Sequence, residues 1–344
     1  MPSHNSSFGL ENTVTARVKF SFTLALVHPC TPSAMVFKSL KDFIHSSRLN
    51  HLSLYNVQGL QQGILSQSDI KHLILYQATE ASADSSLVED LNSIPDSDSE
   101  EEESQLGICP LESLETDMGM TIAEHAKLFR VYSHSSGAEH HLLDGVMFPF
   151  LSRLRLYHSR IDTREFNIMV NEILLNTPVL EDLFIYNAGK LSIQFRPEGS
   201  VLPLRYNHLT RLRSFSLGAS APHYKQMETL ECLCADKPPP SLREVVIDIM
   251  IDLRHGLLNG VRDAERYISW LGLHRTDAFL RRPGFEGVKK FVVRIGMAMD
   301  IFQPEDLDRE SVDGIVTPWR DTVRKAITGL LEMKYQGVNV QLEL

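Results

Sequence analysis

The stretch LSRLRLYHSRIDTREFNIMVNEILLNTPVLEDLFIY, residues 151–186, decides the fold because it contains one complete repeat and the beginning of the next. It begins with apolar residues in an hxxhxh spacing, where h is apolar, at Leu151, Leu154 and Leu156. The same spacing returns at Leu180, Leu183 and Ile185. Each triplet begins a short run with alternating apolar and polar residues, which is typical of a strand with one buried face. The residues between the two runs carry the signals of a helix.

Copies of the hxxhxh pattern recur along the chain. Working outward from residues 151–186, five more triplets are Leu49, Leu52, Leu54; Ile70, Leu73, Leu75; Leu212, Phe215, Leu217; Leu242, Val245, Ile247; and Val288, Phe291, Val293. The copies that start at 151, 180, 212 and 242 are 29, 32 and 30 residues apart. This period lies at or just beyond the upper end of the range for leucine-rich repeats, which is 20–29 residues.

Helix signals lie between the predicted strands. Asp162 and Glu165 have capping-box spacing. Apolar residues follow them at the spacing of one helical face, at Phe166, Met169, Val170, Ile173 and Leu174. Similar signals predict helices over 224–234 and after Thr317, and alternating apolar residues predict a closing strand over 338–344. The sequence therefore predicts an α/β fold, an irregular leucine-rich-repeat-like solenoid with a mostly parallel sheet on its concave side and helices outside.

Charge composition divides the chain. Ten acidic residues and no Lys or Arg lie between Glu80 and Glu103. Without them, 34 acidic residues remain against 34 basic ones, so the rest of the chain is neutral and shows no basic surface for nucleic acid. We expect an N-terminal segment over 1–48, either a first rung or an F-box remnant. The first repeats over 49–77 and a disordered acidic insertion over 78–107 follow, and the main solenoid with its C-terminal cap occupies 108–344.

Cysteine content and hydropathy bear on the cellular setting. Four cysteines in 344 residues do not form a disulfide framework, and we expect buried thiols in a reducing compartment. No apolar stretch approaches the ~18 residues that a membrane span needs, and Phe20–Val27 is expected to be a strand. These features favour an intracellular protein, cytoplasmic or nuclear, without a membrane partner.

Tyrosines mark the candidate binding surface. Alternation along a strand places the residue after each triplet on the open face of the sheet. That residue is Tyr55, Tyr76, Tyr157 or Tyr186 in four copies, and Arg155 and Phe184 share the face. Large amphipathic side chains of this kind are enriched in protein-binding hot spots. The alternative is that neighbouring rings stack on one another and only stabilise the sheet.

Other chemistry is sparse. Ser97 and Ser99 lie in an acidic context that suits an acidophilic kinase, and the alternative is an unmodified solubilising linker. The sequence contains no GxSxG elbow, Walker loop or GxGxxG fingerprint, so we predict no enzyme activity and no cofactor. The histidines of 134–144 match no zinc motif, and we predict no metal site.

The repeats resemble the leucine-rich-repeat region of the F-box-like proteins of fungi. The likeness covers residues 49–75 and 145–344 and is clearest from Trp270 to Ile295, where an aromatic-led helix, Asp277-Ala278-Phe279-Leu280, Arg282-Pro283-Gly284-Phe285 and a strand follow in order. A second similar segment is the helix-to-strand junction from Asn176 to Leu183. The resemblance implies a substrate-recognition module of a ubiquitin ligase, with a protein substrate and the ligase adaptor as partners.

Two departures from the family pattern matter. Residues 1–49 show no F-box opening on a Leu-Pro dipeptide, so the chain is an F-box-less relative, a truncated product, or a chain whose helix over 35–44 is a remnant. Asn56 and Asn187 stand one residue earlier than the asparagine of ordinary leucine-rich repeats, which predicts a different turn. Three functions stay open: substrate recognition for a ubiquitin ligase, a stand-alone repeat scaffold that binds proteins, and an α/β enzyme as the least favoured.

Overall fold

The fold is a mixed α/β structure built on one parallel sheet. The computed structural model describes residues 20–46, 49–61, 63–65, 68–79, 109–117, 125, 128, 148–158, 163–187, 203–221, 226–252, 272, 275–298, 317, 321, 324–325 and 338–343. Its strands are β1 (Phe20–Cys30), β2 (Leu49–Val57), β3 (His72–Tyr76), β4 (Ser113–Thr116), β5 (Arg153–His158), β6 (Asp182–Asn187), β7 (Ser214–Ala221), β8 (Glu244–Asp252), β9 (Lys290–Ala298) and β10 (Asn339–Glu343). The helices with described bounds are α1 (Ala34–Ser46), α2 (Thr163–Leu175), α3 (Gln226–Leu233) and α4 (Thr276–Leu280).

The order of the strands follows the order of the chain. The ten described strands form one sheet in the sequence β1 to β10, and every neighbouring pair is parallel. This sequential order is what a repeat architecture requires, because each repeat contacts only its neighbours. The predicted α/β class and parallel sheet are confirmed. The predicted strand over Phe20–Val27 is also confirmed, since it lies within β1 at the edge of the sheet.

The hxxhxh residues form the core. Every side chain of the seven predicted triplets is at most 3% exposed, and all belong to one hydrophobic cluster. The helices cover this same face of the sheet and contribute Leu40 from α1, Val170 and Leu174 from α2, Leu230 from α3 and Phe279 from α4. Since consecutive strand residues point to opposite faces, the residues between the apolar positions form the other side, which we call the open face.

The backbone repeats with the same period as the apolar residues. In five of the seven triplets, the carbonyl one residue after the first apolar position accepts hydrogen bonds from two successive N–H groups of the next repeat. This is seen at Ser152, which binds Glu181 and Asp182, and at Glu181, which binds Arg213 and Ser214. Each new strand therefore starts in phase with the previous one, and residues at equivalent repeat positions become lateral neighbours.

One strand was not predicted. β4 continues an eighth copy of the pattern in which the third position is polar, with Leu111, Leu114 and Thr116 all at most 1% exposed. The Thr116 hydroxyl lies 3.3 Å from the Nε2 atom of buried His125, so this polar residue has a partner inside the core. The predicted acidic insertion over 78–107 precedes this strand. Ala78 is buried and Thr79 hydrogen-bonds Val57 and Leu60, while residues 80–107 lie outside the described part of the chain.

Two residues at the carboxyl ends of β2 and β3 have an unusual backbone. Asn56 adopts a φ of 61° and Gln77, at the equivalent place in the next repeat, a φ of 50°. Asparagine tolerates this left-handed region better than most residues. The Asn56 amide Nδ2 donates to the Leu26 carbonyl at 2.6 Å, and the Gln77 N–H donates to the Asp117 carboxylate at 2.9 Å. Each of these two residues is thereby joined to a neighbouring repeat.

A buried ion cluster ties the last repeats together on the helical side of the sheet. The Glu231 side chain on α3 is 9% exposed and accepts Arg275 at 2.6 Å and Arg282 at 3.1 Å. The Arg282 guanidinium also lies 5.7 Å from the ring centre of Phe279 and donates to the Glu231 carbonyl. A buried carboxylate needs such partners, because desolvation would otherwise cost several kcal/mol.

The thiols only partly follow the prediction of buried cysteines. Cys109 and Cys234 are buried, but Cys232, which lies near the end of α3 two residues before Cys234, is exposed. Burial raises the pKa of both the Cys109 and the Cys234 thiol to about 12. Among the described residues, no helix has both the length and the apolar composition to cross a membrane.

Candidate binding surface

The predicted tyrosines share one row of the open face. Parallel register aligns Tyr55 with Tyr76 and Tyr157 with Tyr186. The alternation of the strands explains this placement, since each tyrosine directly follows a buried apolar residue. Arg155 and Phe184 are paired in the adjacent row. All six predicted site residues therefore lie on the same side of the sheet.

The rings form a continuous cluster. Tyr55 stacks on Tyr76 with 5.6 Å between ring centres, and Tyr76 meets Tyr157 at 5.1 Å. Tyr157 in turn lies 5.5 Å from Tyr186 and 5.7 Å from Phe184. These separations lie in the range of favourable aromatic pairs. We call Tyr55, Tyr76, Tyr157, Phe184 and Tyr186 the aromatic cluster. Each of its side chains is partly exposed.

The cluster crosses β4 although β4 carries no aromatic residue. β4 ends at Thr116, one residue short of the tyrosine row, so the rings of Tyr76 and Tyr157 meet above it. Glu115 of β4 lies on the open face in the row next to the tyrosines, and the Tyr76 hydroxyl donates to its carboxylate at 3.4 Å. Burial raises the pKa of both hydroxyls, and for Tyr76 the contacts with Tyr157 and Glu115 add to the rise in pKa.

Glycine on the next strand gives the rings their space. Gly218 of β7 is aligned with Tyr186. A Cβ atom at this position would lie 2.4 Å from the Tyr186 Cδ2 atom and 3.0 Å from the Phe184 Cζ atom. The two rings therefore lean over β7, and any side chain larger than hydrogen would displace them. Sequence analysis missed both Gly218 and Glu115, because neither belongs to the apolar pattern that identified the strands.

Arg155 borders the aromatic cluster and carries its exposed charge. Its guanidinium carbon lies 5.8 Å from the ring centre of Phe184, and its Nη1 atom lies 3.9 Å from the Glu115 carboxylate. The side chain is 54% exposed, against 21% for Glu115. Asp182, one row away, is partly buried, and this burial raises the pKa of its carboxyl group while Arg155 opposes the rise.

The remainder of the open face differs from this central part. Toward the C-terminal end it carries ion pairs, with Glu244 and Lys290 at 2.7 Å and Arg294 between Asp248 at 3.3 Å and Glu343 at 2.8 Å. Val292 also belongs to the open face but is fully buried, so solvent does not reach this row at β9. Among the described residues, the partly exposed aromatic side chains of the open face therefore lie on β2–β6.

Other predicted features fall elsewhere. Ser97 and Ser99 lie outside the described residues, and so do the histidines of 134–144. Within the described ranges, no group of three or more His, Cys, Asp or Glu side chains is arranged to hold a metal ion. The chemistry present at the surface is aromatic contact, hydrogen bonding through tyrosine hydroxyls, and a guanidinium.

Comparisons with known proteins add no family. No protein-family model matches this chain, and no curated protein matches it significantly.

Proposed function

We propose that the chain is a protein-binding module that captures its partner through the aromatic cluster on the open face. The observation that supports this most directly is five adjacent aromatic side chains that remain partly exposed on rigid strands. Tyrosine and phenylalanine provide large contact areas and lose little conformational entropy on binding, because few bonds need to be fixed. A surface held by parallel strands is also ready to bind without rearrangement.

The competing explanation is that the rings serve only stability. Each aromatic cross-strand pair contributes roughly 0.2–1 kcal/mol, so the cluster has value to the fold without any partner. Partial exposure favours binding, since a purely structural cluster gains more by complete burial of its apolar area. The two explanations make different predictions for variants that remove rings but keep the buried triplets.

The test is a pair of variants measured for stability and for partner capture. Tyr157→Ser combined with Tyr186→Ser removes the centre of the aromatic cluster and leaves the core residues in place. Leu175→Ser is the matched control, because Leu175 is 55% exposed at the end of α2, away from the open face. Quantitative mass spectrometry after affinity capture compares proteins retained by the wild type and by each variant.

The outcome separates binding from stability. Loss of a captured protein with the double tyrosine variant, and its retention with Leu175→Ser, would support the proposal. If capture stays the same while the melting temperature of the double variant falls, the aromatic cluster is structural and the proposed function is wrong.

Substrate recognition for a ubiquitin ligase is the finer form of this proposal. It rests on the likeness of the repeats to the fungal F-box-like proteins and on no contact in the structure. The alternative is a scaffold that binds proteins without any link to ubiquitin. Ligase adaptor and cullin peptides among the captured proteins would support the ligase role, and capture of other proteins without them would favour the scaffold.

A further inference from the structure

In the ion pairs of the open face, the basic side chain is the more exposed member. Arg155 is 54% exposed and its partner Glu115 21%, while Arg294 is 48% exposed and its partner Asp248 21%. The same order holds for Lys290, which is 38% exposed against 31% for Glu244. The difference is largest between Arg155 and Glu115, whereas Arg294 and Glu343 are 48% and 43% exposed. Positive charge is therefore the more accessible charge beside the aromatic cluster.

Arg155 is the cation best placed to bind a partner group. Its closest approach to Glu115 is 3.9 Å, which is longer than a hydrogen bond, so guanidinium N–H donors remain available to a ligand. The Phe184 ring lies against the guanidinium at 5.8 Å and holds it at the edge of the aromatic cluster. A guanidinium with free donors matches a carboxylate, which it binds through two parallel hydrogen bonds.

A cationic partner fits this surface less well. The Glu115 carboxylate already accepts a hydrogen bond from the Tyr76 hydroxyl, and its side chain is only 21% exposed. Asp182 is the other acid near Arg155, and it is partly buried beside two arginines, Arg153 and Arg155. Arg153 is itself exposed and adds a second positive charge in the neighbouring row. The acidic groups are thus withdrawn, and the accessible groups are arginines and aromatic rings.

We propose that the partner presents an acidic segment, with a carboxylate side chain bound by Arg155 and an adjacent apolar or aromatic residue packed on the aromatic cluster. This inference rests on the proposed function, because it specifies what the same surface recognises. In this arrangement Arg155 provides the specificity through its charge, and the aromatic cluster provides most of the buried area.

A peptide-display library tests the inference with the full chain as bait. Selections with the wild type, Arg155→Gln and the double variant Tyr157→Ser with Tyr186→Ser are sequenced side by side, and selected peptides are then measured by fluorescence anisotropy. Lys41→Gln is the charge-matched control, because Lys41 is exposed on α1, far from the open face in the fold. Circular dichroism confirms that each variant is folded.

The expected result is an enrichment of Asp or Glu beside an apolar residue. Arg155→Gln should weaken these peptides about tenfold or more, the usual effect of losing a charge-assisted pair, and Lys41→Gln should not change their affinity. Affinity should also fall as salt rises from 50 to 500 mM. Arg155→Lys should restore only part of the affinity, since lysine keeps the charge but not the two-point geometry.

Two further results would separate this inference from the proposed function. Apolar or basic peptides that depend on the tyrosines but not on Arg155 would overturn the acidic partner and leave the binding module intact. Peptides that bind all variants equally, or no enrichment at all, would overturn both.

Discussion

Replacement of Gly218 by alanine is the sharpest test of how the aromatic cluster is built. The added methyl carbon would lie 2.4 Å from Tyr186 Cδ2, whereas ordinary contact begins at 3.4 Å, so the ring has to move by about 1 Å. Phe184 lies at 3.0 Å and limits the directions in which the Tyr186 ring can turn. The ring is partly exposed, so we expect it to swing outward and lose contact with Tyr157.

Two opposing effects determine how much Gly218→Ala changes the free energy of unfolding. Overpacking at such a contact costs about 1–3 kcal/mol in the free energy of unfolding. Replacement of a strand glycine recovers about 0.5–1 kcal/mol, because the unfolded chain becomes less flexible. The clash should exceed the recovered entropy, so we expect a net loss on the order of 1 kcal/mol.

Urea denaturation gives the free energy, and near-ultraviolet circular dichroism reports the ring environment. Ser216→Ala is the matched control, since Ser216 lies on the same strand and the same face, and aligns with Phe184. The control should change both quantities little. If Gly218→Ala is as stable as the wild type and has the same near-ultraviolet spectrum, the rings do not lie over β7 and the reasoning is wrong.

Three other predictions concern single groups. Glu231→Gln removes the shared partner of two arginines and should lower the free energy of unfolding by about 1–3 kcal/mol in urea denaturation, with an unchanged value counting against the ion cluster. Burial raises the pKa of Tyr76, so the unfolded chain loses this proton first and stability should fall as pH rises above about 10. The fall should be smaller in Tyr76→Phe when urea unfolding is repeated from pH 8 to 11, and an identical fall would contradict the assignment. A thiol reagent should modify Cys232 rapidly and Cys109 and Cys234 only on unfolding, and equal rates in mass spectrometry would disprove their burial.

The strands that sequence analysis found share one physical signature. Residues such as Leu154 and Leu156 must be apolar because one face of every strand is buried. The resulting alternation is visible within a few consecutive residues of the sequence. The placement of Tyr157 and Tyr186 on the open face follows from the same alternation. Fold class and the members of the aromatic cluster were therefore predictable.

The remaining features depend on neighbours that are distant in sequence. The strand β4 was not predicted because Thr116 stands where the pattern has an apolar residue. Only the structure shows that the hydroxyl of Thr116 lies beside buried His125. A pattern that allows threonine at its third position would have predicted β4. The role of Gly218 comes from lateral register with Tyr186, and no local pattern encodes such a contact. The contact between Glu115 and the Tyr76 hydroxyl has the same origin.

The phase relation between consecutive repeats has a consequence for the connections between them. β3 and β4 pair residue by residue although Tyr76 and Ser113 are joined by a long segment, and β8 and β9 do so across Asp252 and Lys290. Closing a loop costs only about 0.6 kcal/mol more for each doubling of its length, so a longer connection changes the stability little. Such connections are suitable insertion points for a peptide tag or a reporter domain. An insertion after Thr79 should leave the pairing of all ten strands unaltered.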